Sequence, residues 1–163
     1  MLVPMELSRI LIRELNDFQI IELREILDAA KESTADTPSE ATESGEDFVD
    51  ETEPMREPRS FPIVIGLPEA QAIERRLKGV PIQRPQTHDL LANIIESLGA
   101  SLESISITNL ADHTYFAMLD IRTSEGELLH IDARPSDAIA LGIAKSVPIF
   151  VDDAVITAAQ EGG

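Results

Sequence analysis

The sequence predicts an α+β fold, a single domain built on a mainly antiparallel sheet with three main helices. Three observations carry this expectation. Runs of consecutive strands are interrupted by helices instead of alternating with them one for one. Three segments start with a proline and repeat apolar residues at three- and four-residue spacing, the pattern of a helix with one buried face. The chain has 163 residues, enough for one domain with a substantial core.

The elements follow in order. Residues 5 to 14 (MELSRILIRE) and 18 to 27 (FQIIELREIL) read as a β-hairpin with Asn16-Asp17 at its turn, although helix competes for the second run. Residues 28 to 58 are rich in Ser, Thr, Glu and Pro and carry one sign of charge. Such a segment buries too little apolar area to offset its ordering entropy, so it reads as an acidic, disordered insertion between strands. Phe61 to Ile65 is a short strand, stopped by Gly66. Pro68 to Lys78 is a helix with Ala70, Ile73 and Leu77 on one face, ended by Gly79. After Arg84-Pro85-Gln86-Thr87 comes a second helix, whose buried stripe is expected to be Leu90, Leu91, Ile94, Ile95 and Leu98. Strands over 102–109, 114–122 and 127–133 follow, joined by turns at Asp112-His113 and Ser124-Glu125-Gly126. The third helix runs from about Pro135 to Lys145, Pro148 to Val151 is a last strand, and Asp153 to Gln160 a weak terminal helix. This divides the chain into a hairpin (1–27), the insertion (28–58), a main body (59–152) and a C-terminal tail (153–163).

Charge and composition narrow the function. The formal charge of −17 argues against passive nucleic-acid binding through a basic surface. It is unevenly spread: residues 28–58 hold 11 acids against two bases, and the other 132 residues hold 19 acids against 11 bases. There is no cysteine, which excludes disulfides and thiolate metal sites and makes a cytoplasmic location the default. No apolar run approaches the ~20 residues a membrane span needs, and Leu2-Val3-Pro4-Met5 is too short for the core of a signal peptide. A Gly-rich phosphate loop, a His-Glu-x-x-His pair and a Gly-x-Ser-x-Gly elbow are all missing. With aromatics at 4% of the chain, a stacking platform for single strands is not expected.

The polar residues cluster at the helix starts, as Leu67-Pro68-Glu69, Arg84-Pro85-Gln86-Thr87-His88-Asp89 and Arg134-Pro135-Ser136-Asp137. Proline suits the first helical position, and an acid in the first turn complements the helix dipole by roughly 0.3–1 kcal/mol. Thr87 and Ser136 can accept from free backbone N–H groups. Capping therefore accounts for Glu69, Asp89 and Asp137 taken singly, but it does not account for Arg84 and Arg134. A cation at a helix N-terminus is mildly unfavourable and needs a carboxylate or a phosphate to hold it there. Along strand 127–133, His130 and Asp132 share a face. They could bind a metal or hold a water between them, or form a plain surface His–Asp hydrogen bond. Arg75, Arg76, Lys78 and Arg84 form the one local phosphate footprint, with an ordinary solvated helix face as the alternative.

Four stretches occur in order: Pro62-Ile63-Val64-Ile65-Gly66, Glu69-Ala70-Gln71-Ala72-Ile73, Arg84 to Leu91, and Ile131 to Leu141. Together they closely resemble the bifunctional nuclease domain family of bacteria and plants, over nearly the whole chain outside 28–58. The resemblance implies an α+β domain, often dimeric, some of whose members degrade both DNA and RNA. The motif positions here are Glu69, Arg84, Thr87, His88, Asp89, Asp132, Arg134, Ser136 and Asp137. Phosphodiester hydrolysis needs an activated water and relief of charge on the phosphoryl oxygens. On this reading Asp132 and Asp137, with Glu69 or Asp89, hold Mg²⁺ or Mn²⁺ through oxygen ligands. Arg84 and Arg134, with Thr87 and Ser136, bear on the phosphate, and His88 or His130 relays the proton. No organic cofactor is expected, and the expected partners are a DNA or RNA substrate and a second copy in a homodimer. The competing reading is a non-catalytic dimeric interaction or regulatory module, in which Asp132–Arg134 and Arg84–Asp89 are internal ion pairs. A third has the acidic segment bind a basic partner. The charge of that segment repels a nucleic-acid backbone at low salt and weighs against tight binding.

Overall fold

A computed structural model describes residues 1–13, 15–27 and 56–162. The elements are β1 (Leu2–Leu11), β2 (Gln19–Glu25), β3 (Ser60–Ile65), α1 (Leu67–Leu77), α2 (Thr87–Ser97), β4 (Ser101–Ala111), β5 (Thr114–Arg122), β6 (Leu128–Ala133), α3 (Pro135–Lys145), β7 (Ile149–Asp152) and α4 (Asp153–Gly162). Seven strands form one sheet in the order β3-β2-β1-β7-β4-β5-β6. Every pairing is antiparallel except β4 with β7. This is the α+β architecture the sequence predicts. The acidic segment lies outside the described residues from 28 to 55.

Alternation along the strands sorts side chains to two faces. Val3, Met5, Ile21, Leu23, Phe61, Ile63, Ile105, Ile107, Ala117 and Val151 line the buried face, where Ala70 and Ile73 of α1, Ala138 and Ile139 of α3, and Val155 and Ile156 of α4 cover them. The other face carries Glu6, Glu22, Ser104, Ser106, Asp120, His130 and Asp132, and no described helix covers it. α3 is built from small and branched residues and settles close to the sheet. A Cβ on Gly142 would stand 3.4 Å from Ile105 Cγ2, so glycine permits that approach.

α1 and α2 flank α3. α2 packs on α3 and on β4, and Ala92 is its one buried residue. The expected buried stripe is therefore corrected: Leu90, Leu91, Ile94 and Leu98 are exposed, Leu98 by 77%, and Ile95 is half-buried. Periodicity identifies an apolar stripe, but it cannot say whether this chain covers it. β6 is an edge strand, with Leu128, Leu129 and Ile131 also exposed. Two connections behave as read. Asp112 and His113, at φ 50° and 59°, turn β4 into β5 as a two-residue hairpin loop needs. Pro135 opens α3 at its first turn. Among the described residues no helix is long and apolar enough to cross a membrane.

Candidate active site

The first turns of α1, α2 and α3 meet. Arg134, the residue before Pro135, swings its guanidinium back across the start of its own helix. Its Nε donates to Asp137 Oδ2 at 2.7 Å, and a terminal nitrogen donates to Glu69 Oε1 of α1, also at 2.7 Å. The other oxygen of Asp137 meets His88 Nε2 of α2 at 3.0 Å. Glu69–Arg134–Asp137–His88 is thus one hydrogen-bonded chain through three helix starts. Beside it Arg76 of α1 donates to Asp89 Oδ1 at 3.0 Å, and the backbone N–H of Gln86 donates to Asp89 Oδ2 at 3.2 Å.

The electrostatics follow from this geometry. Two carboxylates sit at the positive ends of three helix dipoles and share one arginine. Burial disfavours the charged form of Asp137, but hydrogen bonds from Arg134 and His88 outweigh it and hold the carboxyl below the usual aspartate range. The Asp137 and Glu69 carboxylates in turn strengthen the hold of Arg134 on its proton. An ionised carboxylate can only accept, so His88 donates from Nε2, and in the neutral ring the lone pair is then on Nδ1. His88 is the least exposed member beside Glu69, and Arg134 the most, with 66% of its side chain open to solvent.

Two cavities flank the chain. One of about 470 Å³ is bordered by His88, Thr87, Asp89, Gln86, Arg75 and Arg76. Among the described residues Arg75 has no carboxylate partner, whereas Lys78 is taken by Glu74 at 2.6 Å. Arg134 and Ser136 border the other, of about 660 Å³. A histidine oriented by an ionised aspartate, next to a half-buried free guanidinium, can bind an anion and move a proton beside it.

The fold gathers Glu69, His88, Asp89, Arg134 and Asp137, with Thr87 and Ser136 on either side. It leaves Arg84 exposed in the loop before α2, with no ion pair among the described residues. Asp132 and His130 stand on the sheet face opposite the helices. Ala133 opposes the fully buried Ala117 under α3, so Asp132, one residue earlier, points away. The expected Asp132–Arg134 and Arg84–Asp89 pairs are not formed; Glu69, Asp137 and Arg76 take those partners. His130 is held instead by the cross-strand Asp120, Nδ1 to Oδ1 at 2.7 Å, while Ser104 and Ser106 donate to Oδ2 at 2.7 and 2.8 Å. Counting the β5–β6 register outward from the Ser124-Glu125-Gly126 turn puts residue 120 opposite residue 130, so that signal was available in the sequence.

The carboxylates do not fit a divalent-cation cage in this arrangement. Asp137, Glu69 and Asp89 already spend oxygens on Arg134, His88, Arg76 and a backbone N–H, and Asp132 lies across the sheet. Among the described residues no three His, Asp or Glu side chains stand together as metal ligands.

A family model described as "Bifunctional nuclease domain" matches residues 53–162. An uncharacterized protein of Mycobacterium tuberculosis is 40% identical over 101 residues, covering 62% of this chain and 59% of its own length. Bifunctional nuclease 1 of Oryza sativa subsp. indica is 26% identical over 94 residues, 56% of this chain and 28% of that protein. Bifunctional nuclease 1 of Arabidopsis thaliana is 25% identical over 94 residues, 56% of this chain and 29% of that protein. The chain therefore spans less than two thirds of each of these relatives.

Proposed function

The chain belongs to the bifunctional nuclease domain family, and on that premise we propose that it hydrolyses phosphodiester bonds of DNA, RNA or both in the cavity bordered by His88. The observation that carries this reading is that His88, oriented by ionised Asp137, borders the same cavity as Arg75 and Arg76. The two guanidiniums take the phosphoryl oxygens and relieve their charge. His88 Nδ1 accepts the proton of a water as its oxygen bonds to phosphorus. The bond from phosphorus to the leaving sugar oxygen breaks, that oxygen takes a proton from solvent water, and the His88 imidazolium returns its proton to solvent. Asp137 fixes the ring and stabilises the imidazolium, while Arg134 and Glu69 hold Asp137 in place. The test is cleavage of labelled single-stranded DNA and RNA by the purified chain, with and without chelator, against His88→Gln and Arg75→Ala. Loss of cleavage in both variants supports the assignment, and wild-type rates in both remove it.

A second reading also has an observation behind it. The Glu69–Arg134–Asp137 links form a closed network that would serve a non-catalytic module equally well by fixing how three helices enter the fold. A chain that melts normally and never cleaves would leave this reading standing. Homodimerisation belongs with either reading, and the uncovered leucine face of α2 supports it, since a second copy would bury what this chain leaves open. Ile94→Glu in sedimentation experiments would give monomer where the parent gives dimer.

A further inference from the structure

The 660 Å³ cavity beyond Arg134 is of a size that takes a small-molecule fragment. Its walls are unusual for so aromatic-poor a chain. Phe18, in the β1–β2 connection, and Tyr115 of β5 both border it, along with His113. Tyr115 is stacked on the buried Phe61, with ring centroids 5.7 Å apart and planes at 23°. Three of the six aromatic residues (five Phe and one Tyr) are thus gathered at one place. Phe18 is 57% exposed, so core packing does not explain an aromatic there. Arg134 stands on the rim, and its second terminal nitrogen has no partner among the described residues.

We propose that this cavity is a base-stacking subsite, which takes one unpaired nucleobase of a single-stranded substrate against Phe18 and Tyr115 while the adjoining phosphate passes over Arg134. Aromatic side chains take any base through its π-face, and a base locked in a duplex cannot reach them. Phe61 fixes the Tyr115 ring in advance, which reduces the ordering that binding requires. Asp17 also borders the cavity, which suits a base better there than a phosphate. The proposal rests on the nuclease reading only for its substrate. An aromatic content of 4% leads the sequence reading to expect no stacking platform, but composition counts residues without showing where the fold collects them.

The test uses the full chain carrying His88→Gln, so that bound strands are not cut, and a short single strand containing 2-aminopurine. Stacking quenches that base, and anisotropy gives the dissociation constant. Phe18→Ala and Phe18→Leu should each weaken binding about tenfold and relieve the quenching, Phe18→Tyr should restore both, and the annealed duplex should show no Phe18 dependence. Phe18 is exposed at a turn, so these variants should fold, which far-ultraviolet circular dichroism checks. Equal affinity and quenching in Phe18→Ala and its parent would overturn the subsite. A wild-type chain that fails to cleave, yet binds in a Phe18-dependent way, would keep the subsite and remove the nuclease reading. His88-dependent cleavage with no Phe18 effect would do the reverse.

Discussion

Replacing Arg134 with methionine keeps most of the side-chain volume and removes both links at once. Two terms set the magnitude. The ion pairs to Asp137 and Glu69 are made by an arginine that is two-thirds exposed, so solvent screening limits them to about 1 kcal/mol together. The second term is what remains behind. Asp137 keeps His88, but Glu69, with only 13% of its side chain exposed, loses its only hydrogen-bond partner among the described residues. Stranding such a group adds roughly 1 kcal/mol, at the low end of the usual range because water reaches the rim. Arg134→Met should therefore lose about 2 kcal/mol and lower Tm by roughly 4–8 °C. Urea denaturation followed by far-ultraviolet circular dichroism measures it, since the chain has no tryptophan. Adding Glu69→Gln to Arg134→Met should return about 1 kcal/mol, because the stranded charge is then gone. A loss under about 0.5 kcal/mol, the ordinary effect of a surface substitution, would refute the claim that this arginine ties the helix starts together.

Two further outcomes follow. A Cβ on Gly66 would lie 2.6 Å from Glu69 Oε2, so Gly66→Ala should leave the fold intact but displace that carboxylate and weaken its hold on Arg134; a double-mutant cycle with Arg134→Met should show coupling of about 1 kcal/mol. Asp120 is buried, and burial opposes its ionisation, but Ser104, Ser106 and His130 outweigh this and keep its carboxyl below the usual range. Because the folded value lies below the unfolded one, its contribution is complete above about pH 4 and is lost as pH falls through the depressed value. Asp120→Asn should therefore cost roughly 1–3 kcal/mol at neutral pH and flatten the acid limb of a stability–pH curve.

What the sequence made legible was local. α3 is found at Pro135–Lys145 as read, because its proline, first-turn acid and terminal lysine are all signals within one helix. The β4–β5 hairpin was equally readable from its turn. What escaped depends on distant partners. β1 begins at Leu2 because residues 2–5 pair with β7, at the other end of the chain. The α2 stripe is real, yet most of it faces outward: α2 packs on α3 with Ala92 as its one buried residue, and an amphipathic pattern does not say which neighbour is there to cover it. At the site, two arginine–proline helix starts suggested one pairing, and the fold uses only one of them: Arg134 bridges two helices, while Arg84 stays in the loop. His88 and Asp137 are 49 residues apart, and no local pattern could join them. Arg75 is visible in the sequence as part of a basic patch; that among the described residues it alone of the α1 cations lacks an acid is a fact of three-dimensional placement.

The most direct measurement is the rate at which the purified chain cuts single-stranded DNA and RNA, compared with a folded His88→Gln variant. The wild type should cleave, and the variant should be slower by about a hundredfold or more, the usual contribution of a positioned acid–base group. Cleavage by His88→Gln at the parental rate, or none by the wild type under any metal condition, would contradict that role for His88.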